Sequence, residues 1–267
     1  MPEATSADIA TCESEPIRIP GAIQPHGFLL SLDLSHLPDA ADASAARVVQ
    51  VSDNLADFTG MAPAAALGQQ LRAVIGAAAD QLAPLLRLDQ ARDRASFLAT
   101  TALDAGGPQF DVLAHVCDGL LVLEFEPAAG NLEASLHRLY PVVGDFLNKI
   151  NDADSIADMS QLAVNEIAAL TGFGRVMVYS FDKDGHGTVL AEALQDGYEG
   201  YMGQRFPASD IPRQARELYL LNRIRLIQDA NYTPAGLLPA MHPFTGRATD
   251  LSLASLRSVS PVHLQYM

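Results

Sequence analysis

At 267 residues, 49% hydrophobic and 18% charged, the chain is long and apolar enough to bury a real core, which excludes a disordered polymer. A net charge of −15, from 32 acidic against 17 basic residues, argues against nucleic acid and anionic membrane as partners, since both need a basic footprint. No apolar run is long enough to span a bilayer, no basic-then-apolar export signal opens the chain, and Cys12 and Cys117 make no disulfide framework, so a cytoplasmic protein is expected. Residues 1–15 are polar and aperiodic, and are expected as a flexible tail. Turn signals at Pro20-Gly21 and Pro25-His26-Gly27 lead into a first strand over 28–32, and residues 47–52 read as a second. An alanine-rich helical region from Asn54 to about Leu86 is punctuated by Gly60, Pro63 and Gly68. Residues 110–117 and 119–127 alternate as a hairpin that contains Cys117, which reads as a small buried hydrophobe.

Residues 127–131 break the chain, and a domain boundary is placed near 130. Apolar residues then recur at helical spacing through Leu136, Leu139, Val143, Phe146 and Ile150, and a second helix runs from Ser155 to Leu170 with its cap at 152–155. A strand over 173–182, a turn at 182–187 and a returning strand over 188–192 follow. The expected fold class is therefore α+β: antiparallel sheets with flanking helices.

Several residues carry candidate chemistry. In Pro207-Ala-Ser-Asp-Ile-Pro212, Ser209 or Asp210 is placed to cap the helix that begins with Arg213, and Pro212 suits its first turn. In residues 222–229, alternation puts Arg223, Arg225 and Ile227 on one face of a strand. Solvated surface arginines are the commoner case, but so acidic a chain makes a chance cluster less expected. A lone histidine such as His263 is more often a satisfied core residue. His26, His242, His263, Asp210 and Cys12 show no recognised metal-ligand spacing, and there is no nucleophile elbow or phosphate loop, so neither a metal site nor a catalytic residue is expected.

Taken together, Cys12 followed by Pro16-Ile-Arg-Ile-Pro-Gly-Ala-Ile-Gln-Pro-His-Gly27, then Phe206-Pro-Ala-Ser-Asp-Ile-Pro212 with Ala215, Arg216, Leu218, Tyr219, Asn222 and Arg225, then Leu256-Arg-Ser-Val-Ser-Pro-Val-His263 to Met267, resemble the N-terminal portion of bacteriophytochromes. Residues 175–182 add a weaker match. The resemblance covers nearly the whole chain and implies a tail at 1–15, a PAS domain at 16–130 and a GAF domain at 131–267 that ends before its last strands. It also implies a tail threaded through a GAF loop as a figure-of-eight knot centred on Ile23. The implied cofactor is biliverdin IXα, joined to Cys12 through a thioether; the position that carries the cysteine in plant and cyanobacterial relatives is Val262 here.

The same resemblance implies a role for each pigment contact. Arg225 and Arg257 would hold the two propionates with Tyr219, Ser258 and Ser260, and Asp210 would offer its carbonyl to the pyrrole N–H groups, with Ile211 and Pro212 beside it. His263 would help hold the protonated pigment, while Tyr179, Phe206 and Tyr266 would line the ring D end. The function implied is a red/far-red photoreceptor module working by Z/E isomerisation of the ring C–D double bond. It is not an enzyme, but signals to a PHY region and a histidine kinase or other effector, and the complete protein is expected to be a homodimer. A shortened GAF domain implies weak or partial pigment binding. The alternative is a pigment-free PAS–GAF module that senses a small molecule or mediates dimerisation, which leaves Cys12 and both arginines unexplained.

Overall fold

The computed structural model describes residues 15–35, 45–86, 91, 94–128 and 132–264, with backbone alone at 132–139, 261 and 262. It divides into two units, one of residues 15–128 with 214–264 and the other of residues 132–213.

In the first unit, β1 (Ala22–Ile23), β2 (Phe28–Asp33) and β3 (Val48–Ser52) come first. Four short helices follow: α1 (Leu55–Thr59), α2 (Pro63–Ala66), α3 (Leu71–Ile75) and α4 (Ala78–Leu82), ending in a 3-10 turn at Ala83–Leu85. The alanine-rich stretch is cut into pieces because Gly60 and Gly76 end α1 and α3 with φ of 72° and 60°, a left-handed backbone that glycine adopts without strain. β4 (Ser96–Ala102), β5 (Gln109–Cys117) and β6 (Leu120–Pro127) complete the run. The β5–β6 hairpin turns on Asp118-Gly119, both at positive φ, a combination whose twist matches the flanking strands.

The second unit opens with α5 (Leu132–Asn151) and α6 (Ile156–Thr171). As the spacing predicts, Ser155 caps α6, its hydroxyl accepting the Asp158 N–H at 3.1 Å. β7 (Arg175–Phe181), β8 (Gly187–Leu194) and β9 (Arg205–Phe206) form an antiparallel sheet in that order. α7 (Arg213–Leu221) begins directly after Pro212. β10 (Ala235–Leu238) and α8 (Pro261–Leu264) belong to the first unit.

Among the described residues the first unit has a seven-stranded antiparallel sheet, ordered β1-β10-β3-β2-β6-β5-β4. β10 pairs Leu237 with Ser52 on one side, while Ala235 meets Ile23 on the other. Ile23 is fully buried and also bridges to Arg257. One sheet face packs Phe28, Phe110 and Phe125 against Leu55, Leu71, Ile75 and Leu82 from the helices. The opposite face packs Leu29, Leu120, Val122, Ala235 and Leu237 against Leu251, Ala254 and Leu256. The strand expected over 222–229 is absent: the backbone there is irregular, because it is held by a side chain rather than a ladder, Gln24 Nε2 donating to the Leu226 carbonyl at 3.0 Å. The inward side of that alternation partly persists, with Arg225 and Ile227 half-buried, while Arg223 is exposed.

No helix among the described residues is long and apolar enough to cross a membrane.

Candidate functional site

The chain from Asn222 to His263 gathers most of the candidate residues of the first unit. Arg225 donates through NH2 to the Arg257 carbonyl, and its NH1 is buried without a hydrogen-bond partner. Arg257 is 5% exposed and its own NH1 is likewise unpartnered. A buried guanidinium N–H without a partner is costly, so the two unpartnered NH1 groups make this stretch a candidate anion site. Burial pulls the Arg257 pKa down from the ordinary guanidinium range to about 10, with Arg225 and Arg18 acting in the same direction and Asp250 and Glu124 opposing them. Burial also lowers Arg225, against the opposing influence of Tyr232, Glu124 and Tyr219. Even so depressed, Arg257 stays cationic near neutrality.

Around them, Ser258 is buried and its Oγ lies 3.0 Å from the Tyr232 hydroxyl, which also accepts the Val259 N–H at 2.7 Å. Ser260 bonds the Glu15 carboxylate, and its Oγ accepts the His263 N–H at 3.2 Å, fastening the start of α8. His263 is exposed to solvent, yet the protein atoms around it and the nearby Arg225 lower its pKa from the ordinary 6.5, with Glu15 pulling the other way. Tyr219, on α7, is half exposed. Tyr266 and Cys12 lie outside the described residues. Cys117 is described, and burial pushes its thiol up to about 12, which leaves it inert at neutral pH.

In the second unit, the Tyr179 ring stands edge-on to Phe181 at 5.1 Å between centroids and tilted to Phe206 at 6.0 Å. It lies over Gly187, where an added Cβ would come within 1.9 Å of the ring, so only glycine leaves room for it. Residues 207–210 form a turn closed by the Asp210 N–H on the Pro207 carbonyl at 3.2 Å. Burial raises the Asp210 pKa, and burial with the Asp210 charge raises Tyr179. Ile211 is half-buried and Pro212 buried.

Tyr232, Glu15, Gln24 and Glu124 were not singled out from sequence. Tyr232 and Glu15 sit in aperiodic segments that give no signal. Glu124 did carry one: it shares the inward alternation of Leu120 and Val122, where a carboxylate is out of place.

Residues 12–128 match the family described as PAS fold. Over 264 residues the chain is 38% identical to "Cyanobacterial phytochrome B" of Nostoc sp., covering 97% of this chain and 34% of that protein. It is 36% identical to "Bacteriophytochrome" of Pseudomonas aeruginosa over its whole length, again 34% of the relative. The solved chromophore binding domain of Stigmatella aurantiaca phytochrome P1 superposes with a TM-score of 0.79 at 37% identity, covering 96% of this chain and 81% of that one. The chain belongs to the phytochrome family. This phytochrome chain spans about a third of the length of the curated relatives it matches. Its α+β architecture is that of phytochrome chromophore-binding domains, and its match is to their photosensory part.

Proposed function

We propose that this chain is a light-sensing module that binds biliverdin and holds the two propionates through Arg225 and Arg257. The observation that carries the reading is the pair of buried, unpartnered guanidinium nitrogens in a chain of net charge −15, where free cations would otherwise find carboxylates. When bound, the pigment supplies red-light absorption and isomerisation of its ring C–D double bond. The residues do the rest. Ser258 and Ser260 add hydroxyls beside the arginines, Tyr219 adds a third, and His263, neutral near pH 7, offers a nitrogen to hold a protonated pigment through water. Asp210 presents its carbonyl to the pyrrole N–H groups with Ile211 and Pro212 alongside, while Tyr179, Phe206 and Tyr266 supply apolar bulk that limits ring rotation. Cys12 supplies the thiol for a covalent thioether.

On the same reading the role is sensory rather than catalytic, in a cytoplasmic homodimer whose further regions pass the signal to an effector. A tail threaded through the loop that follows α7 is supported by Ile23, which meets Ala235 on one side and Arg257 on the other.

The test is to mix the purified chain with biliverdin in the dark, denature it, and look for retained pigment beside a Cys12→Ser variant. Colour retained by the wild type and lost by the variant is the expected result. Colour retained equally by both places the attachment elsewhere, and a chain that stays colourless favours a pigment-free sensory module.

A further inference from the structure

Glu124 is fully buried on β6, on the sheet face it shares with Leu120 and Val122. A buried carboxylate is costly unless its oxygens are satisfied. Here Oε1 accepts the Ser255 N–H at 3.1 Å and Oε2 accepts the Leu256 N–H at 2.7 Å, so the two oxygens hold the two amides that immediately precede Arg257. His115, also fully buried, brings its Nδ1 to 3.6 Å from Oε1, within ion-pair range but beyond a hydrogen bond. The segment after these amides is held separately: the Leu256 carbonyl accepts the Gln24 N–H at 2.7 Å, and the Ser258 N–H donates to Ala22 at 3.0 Å. Glu124 therefore closes the remaining side of a backbone clamp around Arg257. Arg225 is tied to the same backbone, because its NH2 donates to the Arg257 carbonyl.

We propose that Glu124 is a positioning residue for carboxylate recognition, fixing the 255–257 backbone so that Arg257, and through it Arg225, faces a ligand carboxylate. Two charge-assisted bonds to consecutive amides hold that backbone more firmly than neutral ones would. The carboxylate has a second effect at no geometric cost: its negative charge favours the protonated form of both arginines, opposing the burial that lowers them. The ligand's identity rests on the pigment reading above, while the backbone role does not.

The test uses the full chain with Glu124→Ala and the near-isosteric Glu124→Gln, which keeps one accepting oxygen. Glu126→Gln, on the same strand, serves as control. Amide hydrogen exchange is first compared in pigment-free protein. Dissociation constants are then measured on a Cys12→Ser background, where no thioether forms, for biliverdin and for biliverdin dimethyl ester, which lacks the free carboxylates. Exchange over 255–257 is expected to accelerate in both Glu124 variants, more in Ala than in Gln, and to stay at the wild-type rate in the control. Biliverdin affinity is expected to fall about tenfold in Glu124→Ala, with a change below about twofold for the diester. Unchanged exchange over 255–257 overturns the proposal. Equal weakening of both pigments also overturns it, because a merely stabilising residue would act on both alike. If the wild type takes up neither pigment, the pigment reading fails by itself, and the exchange comparison alone decides whether Glu124 positions this backbone. If Glu124→Ala does not fold, the Gln variant carries both measurements.

Discussion

The two faces of the seven-stranded sheet are built from the same strands yet on different principles. One face is closed by short helices and is mostly hydrocarbon, apart from Thr101, whose hydroxyl donates to Gln81 Oε1 at 2.7 Å: Phe28 stacks on Phe125 at 4.5 Å, with Phe110 edge-on at 5.7 Å. The other is closed by chain from more than a hundred residues away, and its apolar contacts are interrupted by fully buried polar groups. Gln50 donates to the Pro239 carbonyl at 2.8 Å and exchanges bonds with Thr249, and Glu124 holds the amides of Ser255 and Leu256. A helix satisfies its own backbone and asks only for apolar area, whereas an irregular loop laid on a sheet brings N–H and C=O groups that need partners. The polar face is thus the consequence of covering a sheet with loop, and the same loop carries Arg257, Ser258, Ser260 and His263.

Substitutions on the two faces should separate stability from recognition. The largest effect is expected from Phe28→Ala on the hydrocarbon face, with a loss of about 3–5 kcal/mol in urea unfolding, since a stacked ring leaves a cavity that close-packed neighbours cannot fill. A loss under about 1 kcal/mol would mean that this face is not the dominant core. On the polar face, Arg257→Met should act in opposite directions on the two quantities. It removes a buried guanidinium whose NH1 has no hydrogen-bond partner, so the pigment-free chain should become more stable by about 1 kcal/mol, while biliverdin affinity falls at least about tenfold. Destabilisation of the pigment-free chain would show that the guanidinium is already satisfied.

The smallest effect concerns pH. The folded-state pKa of His263 lies below 6.5, so between that value and 6.5 the unfolded chain binds more protons. Its contribution to stability is complete above 6.5 and is lost as pH falls through the folded-state value. His263→Gln should flatten the pH dependence of urea unfolding in that window and leave it unchanged above pH 7. An unaltered slope would show that the ring is solvated like a free histidine.

Much of the architecture could be read locally. The β5–β6 hairpin follows from alternation around Asp118-Gly119, α6 from Ser155 and its apolar period, and β7 from a β-branched and aromatic run. The arginines at 225 and 257 were legible as motif positions, but their unpartnered state was not. Neither was the loss of the 222–229 strand, because alternation reports which side chains turn inward and not which groups bond the backbone.

By itself, the sequence determined the short-range elements, the acidic character and the phytochrome resemblance, since turns, caps and periodicity act within a few residues. Only the tertiary structure decided that Ala235–Leu238 inserts between β1 and β3, that Ile23 meets both Ala235 and Arg257, and that Glu124 lies beneath Ser255 and Leu256. Those partners lie up to 234 residues apart in the chain, so no local pattern encodes them; what selects them is the shared requirement that every buried polar group find a partner once the sheet is covered.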